Sequence, residues 1–375
     1  MQFASRLEGI ELSGLRKMFE LSTKESINLG LGEPDFNPPE TALEGLKKAV
    51  YDGKNKYGPT AGIPELKAAL AEKNQIYKKD LSADNVLVTG SGSEALMTTM
   101  LSFVESGDEV LYPDPGFVLY KPQIQLAGGK GVAYPVEQEF GFVPQINQLE
   151  ELVTDKTKVI IVNSPSNPTG AVFNQDDVKA IIRFAEDHNL LIVSDEVYDK
   201  MVYNTQHNSF LGDYENVIYI NSFSKIYAMT GWRLGYLIGP KELVQGLMIT
   251  HYHIMACPPS PFQHAALAAM SGPQDFVEEM VGEFKQRRDL IVEKLNDVKG
   301  FSCLKPEGAF YAFPSFDLKM NSVDLAMKLA QNGVICSPGT AFGPRGEGHL
   351  RFSYAASRET IERGIDVVAD VVKKL

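Results

Sequence analysis

The chain has 375 residues, 44% of them apolar and 22% charged, enough to bury a large core in two domains or in one large α/β domain with an appendage. Its formal net charge of -12 argues against nucleic acid and anionic membrane as main partners, because both demand basic surface. Three cysteines, Cys257, Cys303 and Cys336, lie far apart and odd in number; this fits no disulfide framework or zinc spacing and points to a reducing, cytoplasmic compartment.

The first residues, MQFASRLEGIELSGLRKMFEL, lack an apolar core of signal-peptide length. The longest apolar runs, VIIV and LLIV, are strand-sized and too short to span a bilayer. INLGLGEPDFNPP is rich in Gly and Pro and ends in a break before the next helix. The Lys/Glu patches between residues 65 and 80 read as a solvated helix face.

From about residue 60 to 280, short apolar runs alternate with amphipathic stretches. NVLVTG, DEVLYP, KVIIVN, LLIVSDE and VIYINSFS read as strands. Val and Ile dominate them with little alternation, as parallel strands covered on both faces require. NQDDVKAIIRFAEDHN reads as a helix between two of them. Asn174 can cap it, Asp176 and Asp177 suit its positive first turn, and Val178, Ile181, Ile182 and Ala185 form its buried stripe. HYH at 251–253 has no accompanying carboxylate or cysteine cluster and reads as a helix end or loop rather than a metal site.

The C-terminal third changes character. GAFYAFPSF alternates like a strand with one exposed face, GVICSPGTAF and HLRFSYA follow, and RETIERGIDVVADVVKKL carries Ile361, Ile365, Val368 and Val372 on one side of a helix. The expected fold class is α/β, a large domain over residues 48–275 with a mostly parallel, doubly wound sheet, plus a smaller α+β domain built from 1–47 and 276–375.

Ligand sites in open α/β sheets lie at the carboxyl ends of the strands. Four predicted strand ends there carry suggestive chemistry. After NVLVT comes a Gly/Ser turn, Gly90, Ser91, Gly92 and Ser93, opening a helix; free N–H groups at a helix start bind phosphate, though the same turn equally suits an ordinary capped helix. It is neither a Walker A loop nor a G-x-S-x-G elbow. Asp195 closes a buried strand, where a carboxylate needs a cationic or N–H partner; a helix cap is the plainer reading. Asn167 stands in the turn Asn167, Pro168, Thr169, Gly170 at the end of a third strand. Finally SFSKIYAMTGWRLG places Ser222, Ser224 and Lys225 at a fourth strand end, with Arg233 eight residues on. A lone loop lysine is usually solvated. A phosphate cradle, a buried carboxylate, an amide and a lysine together fit a phosphorylated aldehyde with a basic ring nitrogen, which is pyridoxal 5′-phosphate.

The ordered set NLGLGEPDF, YGPTAGIPELK, SPSNPTG, SDEVYD, SFSKIYAMTGWRLG, PEGAFYAFP and LRFSYA resembles the fold-type I pyridoxal phosphate enzymes, and within them the class I/II aminotransferases of the aspartate and aromatic group, over nearly the whole chain. The resemblance implies that Lys225 carries the cofactor and serves as catalytic base and acid, and that Asp195 pairs with the protonated ring nitrogen. It implies that Tyr198 and Asn167 bond the ring's 3-oxygen and that Phe117 stacks on the ring, unless it is an ordinary core residue. The phosphate falls to Ser91, Gly92, Ser93, Ser222, Ser224 and Arg233. Tyr57 matches a tyrosine that reaches the neighbouring subunit's phosphate, which implies a homodimer with shared active sites. Arg351, Gly32 and Asn167 match the residues that hold the substrate α-carboxylate.

The implied reaction is a ping-pong transfer of an amino group from an L-amino acid, aspartate first, to 2-oxoglutarate. Aromatic or broad donor specificity is the alternative, and a β-lyase acting on cysteine conjugates shares the same cradle. A cofactor-sensing regulator would need an attached DNA-binding domain, for which the sequence shows no room before residue 30 and the wrong charge. Arg16 is a candidate for the donor's distal carboxylate.

Overall fold

A computed structural model describes residues 3–10, 25–212 and 214–375. Arg16 lies outside them. The central sheet has seven strands, in chain order Val86–Thr89, Glu109–Asp114, Lys130–Pro135, Thr157–Asn163, Leu191–Asp195, Val217–Ser222 and Gly235–Ile238. Across the sheet they run first, seventh, sixth, fifth, fourth, second, third. The seventh is antiparallel to both its neighbours; every other pairing is parallel. The first strand therefore points the same way as the second to sixth, and all six end on one edge.

The strands read as continuous apolar runs because both faces are covered. Val159 and Ile161 pack with Ala95, Leu96 and Ile124 on one side, while Ile160 and Val162 pack with Ile181, Ile182 and Phe184 on the other. Each such buried side chain contributes about 1.5–3 kcal/mol, so Ile160→Ala would open a cavity costing about 2–5 kcal/mol. Helix Gln175–Asp187 has the capping box expected from sequence: the Asn174 side chain accepts from the Asp176 and Asp177 N–H groups and Asp177 returns the bond. Its predicted stripe is buried.

Two strands of this sheet escape the sequence reading, KGVAYP and GYLI. The first is an edge strand, mostly half-exposed. The second is separated from the strand before it by nothing longer than the four-residue helix Phe223–Ile226 and a 3-10 turn, and it runs antiparallel, so the expected rhythm of strand and amphipathic helix does not mark it.

A second core gathers Leu29, Phe284, Ile291, Phe310, Leu325, Leu350, Phe352, Ile361, Ile365 and Val368. It is roofed by the three-stranded antiparallel sheet of Tyr311–Ala312, Leu350–Ser353 and Ser337–Pro338, and by Ile27–Asn28 paired parallel with Val334–Ile335. Helix Arg358–Val372 buries Ile361, Ile365, Val368 and Val372 as its periodicity demands. GAFYAFPSF corrects the expectation: residues Ala309 to Phe313 are all buried, not half-exposed. Phe310 packs against Phe284 and Tyr198 while Tyr311 turns toward the strand ends of the large sheet, so both faces are covered. Lys73 also departs from the solvated face assigned to it; it is half-buried over the Tyr227 ring, and burial lowers its pKa.

Candidate active site

The common edge of the six strands and the second core enclose a cavity of about 410 Å3. At its floor Asp195 ends the fifth strand. The Tyr120 hydroxyl donates to its Oδ2 at 2.8 Å, and Asn163, ending the fourth strand, donates from Nδ2 to its carbonyl oxygen at 2.8 Å. Asp195 Oδ1 is buried with no partner. Burial raises the carboxyl pKa to about 6, against the Tyr120 bond and the Val197 N–H, which lower it.

Lys225 sits in the four-residue helix Phe223–Ile226 that follows the sixth strand. Its Nζ donates to the Gly32 carbonyl at 2.7 Å. Burial first, then the positive charge of Arg351, lowers its pKa to about 8. About a quarter of such an amine is neutral at pH 7.5, against about one part in a thousand for an ordinary lysine. Arg233 faces the open side, adopts a left-handed backbone with φ 53°, and donates from Nη1 to the Thr230 carbonyl at 2.9 Å.

Helix Gly92–Phe103 aims its first turn into the cavity. Ser91 is its N-cap, its Oγ accepting from the Glu94 N–H at 3.1 Å. The cap leaves the Gly92 and Ser93 N–H groups at the positive end of the helix. Gly235 makes this packing possible: a Cβ there would lie 2.5 Å from Gly92 N and from Ser91 C.

On the opposite wall Arg351 is buried in the strand Leu350–Ser353. It donates to Asn167 Oδ1 at 2.9 Å, to the Gly30 carbonyl at 2.5 Å and, more weakly, to Ser337 Oγ at 3.4 Å. The rings of Tyr311 and Phe342 face its guanidinium at 4.4 and 4.6 Å. Its Nε is buried without a partner. Asn167 is itself fixed, its N–H donating to Asn163 Oδ1 at 2.8 Å.

Of the residues singled out from sequence, Gly32, Ser91, Gly92, Ser93, Phe117, Asn167, Asp195, Tyr198, Ser222, Ser224, Lys225, Arg233 and Arg351 all line this cavity. Tyr57 does not; it is 93% exposed on a surface loop. The Tyr198 hydroxyl pairs with the Tyr311 hydroxyl at 2.8 Å. Phe117 is half-buried and meets Tyr120 edge-on, ring centroids 5.6 Å apart.

Sequence reasoning missed Tyr120, Asn163, Tyr311, Glu33 and Thr230. Asn163 ends a predicted strand four residues before Asn167, a position that could have flagged it. Tyr120 and Tyr311 carry no local signal, since a tyrosine in a helix or strand reads as core. Glu33 and Thr230 bond each other through their side chains at the cavity mouth, a contact between residues 197 apart. HYH lies near the end of helix Lys241–Met255, as read; what the sequence did not mark is that His251 is fully buried.

The family model described as aminotransferase class I and II matches residues 24–368. A probable aspartate aminotransferase of Methanocaldococcus jannaschii is 43% identical over 98% of this chain and 99% of its own length. Aromatic-amino-acid aminotransferase 2 of Thermococcus litoralis is 39% identical over 100% of this chain and 99% of its own. Among solved structures, the aspartate aminotransferase of Thermus thermophilus with maleate superposes with a TM-score of 0.94 at 34% identity, covering 99% of this chain and 100% of that one.

Proposed function

The chain belongs to the class I and II aminotransferases, and from that membership we propose that it holds pyridoxal 5′-phosphate and transfers the amino group of L-aspartate to 2-oxoglutarate in two half-reactions. The observation that carries the cofactor reading is the bare Oδ1 of Asp195. A buried carboxylate with one oxygen unpaired is costly, and a protonated ring nitrogen supplies the missing N–H and the counter-charge. The helix start at Gly92 and Ser93, the hydroxyls of Ser222 and Ser224 and the guanidinium of Arg233 suit a phosphate dianion. The cofactor, when bound, supplies an aldehyde to take up nitrogen and a ring that withdraws electrons.

The chain's own residues do the rest. Lys225 Nζ, partly neutral at physiological pH, would hold the cofactor by condensing with its aldehyde with loss of water and, once displaced by the substrate amine, would take the proton from the donor α-carbon. Arg351 grips the α-carboxylate, with its free Nε–H available to one oxygen; Gly32 and Asn167 complete that end. Asn167 and Tyr198 would hold the ring's 3-oxygen, Tyr198 being able to donate to it while accepting from the Tyr311 hydroxyl, and Phe117 would cover the ring. We assign residues 48–275 to the large domain and 1–47 with 276–375 to the small one. Gly32 and Arg351 then belong to the small domain, so that bound substrate draws the two together and excludes water.

Aspartate is favoured by the names of the M. jannaschii and T. thermophilus relatives. One observation favours an aromatic donor instead. Among the described lining residues the only cations are Lys225, Arg233 and Arg351, all already assigned, while Leu31, Val197 and Tyr311 offer apolar surface and Glu33 is acidic.

The assembly we propose is a homodimer in which Tyr57 reaches the neighbour's phosphate. Tyr57 is fully presented to solvent, and Ile249, Tyr252 and Ile254 are exposed on the helix that bonds the Tyr57 loop. Its location is the cytoplasm, in keeping with three free cysteines. The deciding experiment mixes cofactor-loaded protein with L-aspartate and no acceptor. Loss of the lysine-bound cofactor's absorbance with release of an oxo acid is expected; no change with aspartate but a response to L-tyrosine transfers the assignment to the aromatic reading, and no response to either overturns both.

A further inference from the structure

His251 is completely buried, and none of the roles above uses it. Its Nδ1 lies 3.0 Å from Glu94 Oε1 and its Nε2 3.0 Å from the Thr60 carbonyl oxygen. A carbonyl oxygen only accepts, so Nε2 carries a proton whenever this contact is made. Both ring nitrogens are thus committed, each to a different segment of the chain.

Those two segments are the ones that meet the cofactor's phosphate in the reading above. Glu94 is the third residue of helix Gly92–Phe103. Its Oε2 accepts from the Gly90 N–H at 3.1 Å and its Oε1 from the Thr98 hydroxyl at 2.6 Å, so it staples the Gly90 to Ser93 turn onto the helix. Thr60 stands three residues from Tyr57 in a loop held at its other points by Ser260 Oγ, which donates to the Lys56 carbonyl at 2.9 Å, and by Gln263 Oε1, which accepts from the Ile63 N–H at 2.8 Å. The two helices are further joined where the Ser102 hydroxyl donates to Thr250 Oγ1 at 2.8 Å.

We propose that His251 is a positioning residue that ties the phosphate cradle of one subunit to the loop presenting Tyr57 to the other. One side chain would then set both the subunit's grip on its own cofactor and its contribution to the neighbour's. A buried aliphatic residue could fill the same space but could not fix either arm, because orientation comes from directional bonds that a packed core does not supply. The proposal rests on the cofactor and dimer reading given above.

Two near-isosteric substitutions separate the arms. In His251→Asn the amide stands near Nδ1 and keeps the Glu94 arm; in His251→Gln it stands near Nε2 and keeps the Thr60 arm. Apoprotein is titrated with pyridoxal 5′-phosphate and with phosphate-free pyridoxal, following the lysine-bound absorbance, and melting curves confirm that each variant is folded. For His251→Gln the dissociation constant for the phosphorylated ligand should rise roughly tenfold or more, as for loss of a hydrogen bond to a charged group, with pyridoxal unchanged. For His251→Asn the loss should be smaller and should vanish when combined with Tyr57→Phe, since both remove the same contact. Unchanged phosphate-dependent binding in both variants overturns the proposal, and so does an equal loss for both ligands, which marks general damage. If the wild-type protein itself binds pyridoxal as tightly as the phosphorylated form, the cradle reading fails, and the proposal fails with it for that separate reason.

Discussion

Asp195 and Arg351 are opposite charges on opposite walls of one cavity, 8% and 4% exposed, yet they are supported differently. Asp195 has one strong partner, Tyr120, and a second oxygen with none. Arg351 has three hydrogen-bond acceptors from three stretches of chain and two aromatic rings at close range. The floor of the cavity is therefore under-satisfied without a ligand, while the far wall is nearly complete. A group that binds Asp195 relieves a standing cost. A carboxylate that binds Arg351 finds only the Nε–H free and must otherwise compete with Asn167 and the Gly30 carbonyl, so its net gain is smaller. In the proposed reading the cofactor side would be the tighter of the two and the substrate side the exchangeable one, as a two-step transfer requires.

The largest effect should come from the residue between the two walls. In the proposed reading Lys225→Ala removes both the covalent anchor and the proton carrier, and turnover should fall by roughly 10^4-fold or more, the upper range for a positioned acid–base group. Steady-state assays at saturating substrate check this; substantial residual turnover would sink the assignment of Lys225. The contrast between the walls is then sharpened by Asp195→Asn. It should lower turnover by roughly 10^2–10^3-fold through loss of charge opposite the ring nitrogen, while stabilising the apoprotein. The sign follows from the raised pKa. In the folded state the carboxyl holds its proton up to about pH 6, and in the unfolded state only to about pH 4. Wild-type apoprotein thus loses stability as pH rises from about 4 to 6, by about 2–3 kcal/mol in all. Denaturant melts of the two apoproteins across that range should diverge, with the Asn variant flatter and more stable at pH 7. A less stable variant would break the comparison.

Arg351→Lys tests the other wall. The ammonium keeps the charge but not the fork, so the Michaelis constant for the amino donor should rise by roughly 10–100-fold with a smaller change in turnover. Cofactor affinity should not move. If it falls as far as in Asp195→Asn, the two walls are not independent.

Much of this site was legible in the sequence because strand ends announce themselves. Val and Ile runs fix five strands, and whatever follows each run must lie at the edge where ligands bind; that placed Asp195, Asn167, Ser222 and Lys225 without any structure. Arg351 and Gly32 came only through the ordered family motifs, since a lone arginine in a short strand carries no such mark. What remained hidden depends on contacts between distant residues. Tyr120 acts 75 residues from Asp195 and Tyr311 acts 113 from Tyr198. The antiparallel strand Gly235–Ile238 was hidden for a related reason, because it breaks the strand–helix alternation that identified the others. The buried state of Ala309 to Phe313 depends on a second core whose parts come from both ends of the chain.

The smallest predicted effect is also the most specific to the cavity's electrostatics. Lys225 reacts as the neutral amine, and burial beside Arg351 holds its pKa at about 8. The initial rate at which apoprotein captures pyridoxal phosphate should therefore rise about fivefold from pH 7 to pH 8, then only about twofold more before levelling off. An ordinary lysine would instead give about tenfold per pH unit up to about pH 9. The two walls enter with opposite signs: Arg351 lowers the lysine pKa and Asp195 raises it. In Arg351→Met the midpoint should move up, and in Asp195→Asn it should move down. Because desolvation is the larger cause, neither variant should carry the midpoint back to the ordinary lysine value. A midpoint that ignored both substitutions would mean that burial alone sets the amine, and that the two charges act on the bound molecules rather than on Lys225.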